Sequence, residues 1–139
     1  MKHTDQQLGE LTYDPKIGWW EGRATLASGA SFVLYVHTPG ENDNSITERE
    51  RAAVEKMRCS EQTAREFAAS KLLSVHNDTW NEGEKIDASE FIRRLIPVAI
   101  QVWPSGNAEI SFGDDNLFGG HEVGVRYRGG RFTEAIVQG

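Results

Sequence analysis

The hydrophobic period of this sequence changes twice, and that change limits the folds open to it more than any single motif does. Apolar residues recur at every second position up to about residue 37, at helical spacing over residues 47–75, and at every second position again in the last third. The outer patterns are those of half-buried strands, the middle one that of an amphipathic helix. Strands grouped with strands on either side of helices predict an α+β fold rather than an alternating α/β one. The expected order is β-β-β-α-α-β-β-β-β, an antiparallel sheet of about six to seven strands with one long helix packed on one face.

Local signals support this order. Asp14-Pro15-Lys16-Ile17-Gly18 reads as a turn, with Pro setting φ and Gly accepting a positive φ. The following strand sends Trp20, Ala24 and Leu26 to one face and Trp19, Glu21, Arg23 and Thr25 to the other. After Ala27-Ser28-Gly29-Ala30, a third strand lines up Phe32, Leu34 and Val36 against Val33, Tyr35 and His37. Residues 38–46 form a polar connection. Thr47 with Glu50 makes a capping box that opens the helix. Val54, Met57, Ala64, Phe67, Ala68, Leu72 and Val75 form its apolar stripe, with a break possible near Ser60. Asp87 with Glu90 suggests a second capping box, and Pro97 ends that short helix. Beyond it, Val98, Ile100 and Val102 alternate with Ala99, Gln101 and Trp103. Turns at Pro104-Ser105-Gly106-Asn107 and Arg128-Gly129-Gly130-Arg131 mark further hairpins.

Composition narrows the class of protein. The chain has 139 residues, 38% hydrophobic and 26% charged, too apolar for disorder and too polar for a helical membrane protein. A single domain over residues 1–139 is expected, with a core large enough to need no staple. Neither a secretory h-region nor a spanning apolar stretch is readable, which predicts a cytoplasmic protein without a membrane partner. The formal net charge of -6 argues against a nucleic-acid partner. Its excess is local: residues 76–92 hold five acids and one base, and there Asp78, Glu82, Glu84, Asp87 and Glu90 surround Trp80.

Candidate chemistry is sparse. His121 follows Gly119-Gly120 and is close in sequence to Asp114 and Asp115, a combination that could serve as a general acid/base pair. Its parity with Val123, Val125 and Tyr127 also suits a histidine that ties the loop to the sheet. Cys59 sits beside Arg58 but lacks a partner motif and reads as an inert helical thiol. Asp114-Asp115-Asn116 fails as a calcium loop, because the spacing puts Val125 where the bidentate Glu belongs. Gly119-Gly120 lacks the Lys-Ser/Thr ending of a phosphate loop. Neither a metal site nor a cofactor is expected. Arg126, Arg128 and Arg131 cluster at the final hairpin, where charge discourages edge pairing.

Several landmarks run together: Leu-Gly-Glu-Leu-Thr-Tyr-Asp at residues 8–14, Gly-Trp-Trp-Glu-Gly at 18–22, Asn77-Asp78-Thr79-Trp80, and Phe118-Gly119-Gly120-His121-Glu122-Val123. Over nearly its whole length the chain thereby resembles a group of small bacterial domains of unknown function. The second Gly between Phe118 and His121 departs from the group's closing pattern. Such domains are similar to immunity partners of secreted bacterial toxins, and the resemblance implies a protein-binding rather than a catalytic role. Two functional readings follow. One is a non-enzymatic, immunity-like binding protein that engages a basic partner, such as a cognate toxin, through Trp19, Glu21, Trp80, Glu82 and Glu84. The alternative is a small hydrolase or ligand-binding enzyme using His121 with Asp114 or Asp115.

Overall fold

In the computed structural model, residues 1–40 and 42–139 are described; Glu41, within the polar connection at residues 38–46, lies outside the described residues. Eight strands form one sheet: β1 (Lys2–Asp5), β2 (Gly9–Asp14), β3 (Trp19–Thr25), β4 (Ser31–His37), β5 (Ile96–Val102), β6 (Ala108–Gly113), β7 (Glu122–Arg128) and β8 (Arg131–Gln138). Their order in the sheet is their order in the chain. The helices α1 (Glu48–Arg58), α2 (Glu61–Val75) and α3 (Ala88–Arg94), with a π-helical turn at His76–Trp80, all fall between β4 and β5. The α+β class expected from the periodicity is therefore present.

Four details differ from the expectation. The additional strand is β1, whose residues Lys2, His3 and Thr4 are exposed and carry no apolar alternation to reveal it. The sheet is mixed: β4 and β5 pair in parallel, with Leu34 opposite Ile100 and Val36 opposite Val102, while the other neighbours are antiparallel. The long helix is two helices. At their junction the Ser60 hydroxyl donates to the Lys56 carbonyl at 2.5 Å, the side-chain-to-backbone bond that competes with helix continuation. Val75, expected to face inward, is exposed.

The remaining patterning follows the sequence closely. Phe32, Leu34, Val36, Ile100, Ile110, Phe112, Val123 and Val125 are fully buried on the helix-covered face, against Val54, Met57, Ala64 and Ala68. Gly18 at φ 84° closes the β2–β3 turn, its amide donating to the Asp14 carbonyl at 2.8 Å. The Thr47–Glu50 capping box is complete. The second box is half formed: Asp87 accepts from the Glu90 amide at 2.9 Å, but the Glu90 carboxylate turns to Arg93 instead. The end of α3 is closed from outside. Arg65 of α2 donates to the Ile92 carbonyl at 2.9 Å and the Leu95 carbonyl at 2.7 Å, satisfying acceptors that a helix end leaves open.

One buried carboxyl, Asp5, links β1 to Arg51 of α1, and a second, Glu50, closes the start of α1 on Thr47. Burial would raise the pKa of Asp5, yet its Arg51 ion pair and the Leu8 and Gln7 amides lower it to about 2. Glu50 behaves in the opposite way. Burial outweighs its bonds from Thr47 and the nearby Arg51 charge, raising the pKa from 4.5 to about 7; one of its oxygens is buried without a hydrogen-bond partner.

The neutral form of Glu50 is therefore the one the fold prefers. Its contribution is complete below pH 4.5 and is lost as pH rises to about 7, a change of roughly 3 kcal/mol. Glu50→Gln, which keeps the capping acceptor, should flatten the pH dependence of urea-unfolding stability across that window; an unchanged slope would refute the assignment. Gly22 is a second point of test. A Cβ there would lie 2.8 Å from the Glu10 carbonyl oxygen and 2.6 Å from Leu11, so Gly22→Ala should cost about 1–3 kcal/mol by the same measurement.

Candidate functional site

The expected site residues do not converge. They divide among the helix exit, the β6–β7 loop and the sheet face that the helices leave uncovered.

At the helix exit, Asn77 organises the chain beyond α2. Its side chain donates to the Ile86 carbonyl at 2.9 Å and accepts from the Ile86 amide at 3.0 Å, pinning the loop that carries Glu82 and Glu84. The π-helical turn presents Trp80 with its ring 6.0 Å from Phe118 and 5.9 Å from His121. Phe118 is fully buried and forms the centre of this nest, with His76 at 6.0 Å and Phe91 at 6.1 Å. Trp80 nevertheless keeps 40% of its surface exposed. It borders a hollow of about 320 Å³ whose rim includes Glu82, Glu84 and Arg94. Both glutamates are exposed, whereas Arg94 is bonded to Asp115 at 3.1 Å.

The β6–β7 loop is built around Asp114. Its buried carboxylate accepts from four backbone amides, those of Asn116, Phe118, Gly120 and His121, at 2.9–3.1 Å. Asp115 and Asn116 take positive φ within this coil, a conformation Asp and Asn tolerate better than most residues. The His121 imidazole bonds through Nδ1 to the Phe118 carbonyl at 2.5 Å. Among the described residues, no hydrogen bond joins the His121 imidazole to the carboxylate of Asp114 or Asp115. The three residues come close, but as the frame of a loop. Cys59 is exposed at the end of α1, and among the described residues no group of three or more His, Cys, Asp or Glu could hold a metal ion.

Trp19 and Glu21 lie on the uncovered sheet face, at a distance in the fold from the Trp80 nest. Trp80 packs at the start of β7, while Trp19 pairs with His37 at the end of β4. Around Trp19 the sheet assembles aromatic side chains that sequence reading did not connect. Its ring is 5.4 Å from Tyr35 and 5.1 Å from His37, and His37 stacks on Trp103 at 4.7 Å with 9° between planes. His37 also bonds Gln101 at 2.9 Å. The outward parity of Tyr35, His37, Gln101 and Trp103 was readable. Their meeting depends on the parallel pairing of β4 with β5, which no local signal specifies.

The fold thus defines a protein with a one-sided helical layer, an exposed aromatic–acidic hollow at the helix exit and a polar, aromatic sheet face. No helix among the described residues is long and apolar enough to cross a membrane. The chain belongs to the bacterial family described as "Uncharacterized protein conserved in bacteria (DUF2262)", whose family model matches residues 5–134. No curated protein and no solved structure matches it.

The two neighbouring aspartates give a direct contrast. Asp114→Ala strands four amides and should cost about 3 kcal/mol. Asp115→Asn keeps a residue that tolerates the positive φ, removes only an exposed ion pair and should cost no more than about 1 kcal/mol. Equal costs by urea unfolding would contradict the role given to Asp114.

Proposed function

We propose that this chain is a non-enzymatic binding protein that grips a basic protein partner at the hollow beside Trp80, as an immunity protein covers a toxin. One observation carries the reading: an indole kept 40% exposed stands beside Glu82 and Glu84, neither of which has an ion-pair partner among the described residues. A Lys or Arg side chain entering there would lie against the indole and meet two carboxylates. Arg94 borders the hollow without cancelling its charge, because its guanidinium is held by Asp115.

The surrounding acidic segment would speed encounter with a basic surface, and the aromatic anchor would slow release. Trp19 and Glu21, on the uncovered sheet face, lie outside this contact. A cytoplasmic setting belongs to the same proposal.

The test is co-expression and purified binding with the basic product of a neighbouring gene, together with protection of cells against that product. Trp80→Ala should weaken binding more than about tenfold. Glu82→Gln with Glu84→Gln should lower the association rate and its salt dependence. The proposal fails if no co-encoded basic protein binds, or if binding ignores all three substitutions.

A further inference from the structure

The uncovered sheet face holds a second cavity, independent of the Trp80 hollow and of the binding role proposed for it. Strand register builds it. One row across the sheet runs Tyr35, Gln101, Glu109, Arg126, Glu134, each opposite the next on the adjacent strand. At the turn end of that row stand Trp103, whose amide bonds the Asn107 carbonyl at 3.0 Å, and Arg128. Gln101, Trp103, Asn107, Glu109, Arg126 and Arg128 all line a hollow of about 400 Å³, a size typical of small-molecule sites.

The hydrogen-bonding capacity of this lining is only partly used. Glu109 is 7% exposed. One of its oxygens accepts from Arg126 Nε at 3.3 Å, and the other has no hydrogen bond among the described residues. Arg126 also donates through Nη1 to Glu134 at 3.1 Å, which leaves Nη2 uncommitted. Gln101 accepts from His37 through its carbonyl oxygen, so its amide N–H groups remain available. Asn107 makes no side-chain hydrogen bond among the described residues, and Arg128 has only a 3.9 Å approach to Glu134. Gly124 makes room for this arrangement: a Cβ there would lie 3.0 Å from the Glu109 carboxylate.

The unspent groups are ordered in space. Just past the end of β5, Trp103 supplies a flat aromatic surface stiffened by its stack on His37. In the middle, two amides and a carboxylate offer the donors and acceptor that read the edge of a heterocycle. On β7, two guanidiniums offer the fork that receives phosphate oxygens. β5 and β7 are two strand spacings apart, about 10 Å, which suits a ligand with a ring at one end and an anion at the other. From this geometry we infer that the cavity binds a nucleoside monophosphate, with its base against Trp103, an exocyclic amino group on Glu109 and its phosphate between Arg126 and Arg128.

Titration calorimetry on the full chain with AMP, GMP, CMP and UMP tests this, with adenosine and inorganic phosphate as partial probes. At least one amino-bearing nucleotide should bind saturably at one site. UMP, which has no exocyclic amino group, should bind about tenfold more weakly. Glu109→Met, which removes both acceptor oxygens, should erase that preference. Trp103→Leu should weaken AMP and adenosine alike by about tenfold, whereas Arg128→Gln should weaken AMP and leave adenosine unchanged. Arg128→Gln changes an exposed residue and carries the test if Trp103→Leu or Glu109→Met does not fold. The inference is overturned if none of the four nucleotides binds up to about 5 mM, the range of the weakest specific ligands. It is equally overturned if inorganic phosphate binds as tightly as AMP, or if binding is indifferent to Glu109 and Arg128.

Discussion

The parallel ladder between β4 and β5 is the constraint on which the rest of the molecule depends. Each half of the sheet is a four-stranded meander that tight turns can close by themselves. Within the sheet this ladder joins them, and a parallel pair needs a crossover connection rather than a hairpin. The crossover here contains every helix of the described chain. Apolar residues on one face of β3–β7 require a cover, and the crossover supplies it, so the helices pack on that face and leave the other bare. The polar row from Tyr35 to Glu134 is therefore a result of topology as much as of composition. Without a helix layer above them, Gln101, Glu109 and Arg126 can keep side chains that a two-sided core would exclude.

Most of what local physics controls was legible in the sequence. The parity of Phe32, Leu34 and Val36, the positive-φ turn at Gly18, the turn at residues 104–107 and the Thr47–Glu50 box all depend on a few consecutive residues, and all are present. What was not legible depends on distant partners. β1 carries no alternation because it is an edge strand with one buried residue, Asp5, fixed by Arg51 of α1. The break at Ser60 was visible as an interruption, but the bond to the Lys56 carbonyl that accompanies it was not. Among the site residues, outward parity identified Trp19 and Glu21 as surface positions. It could not reveal that Trp80 faces another part of the molecule, nor that His37 would come to lie on Trp103.

Buried polar groups in this fold serve connection more than reaction. Asp5 and Asp114, both buried, and the half-buried Asn77 each give an oxygen to backbone amides of a nearby loop, replacing hydrogen bonds to water that those loops lose on folding. Arg65 does the same for the carbonyls at the end of α3. Such groups gather acids and histidines into compact loops, and in sequence that gathering looks like a catalytic constellation. His121 and Asp114 are the clearest case. Glu50 differs, because one of its oxygens has no partner, and its effect is on the pH response of the fold.

The sequential strand order also bears on how the chain reaches this structure. Seven adjacent pairings organise the sheet, and six of them join neighbours linked by short turns, whose closure costs little chain entropy. The large entropic cost falls on one event, the meeting of β4 with β5 across the helical crossover. Contact between distant segments is what slows folding, so each meander can gather its own hairpins early while their union sets the pace. The aromatic cluster of Tyr35, His37 and Trp103 straddles that seam and becomes complete only when the two halves have joined.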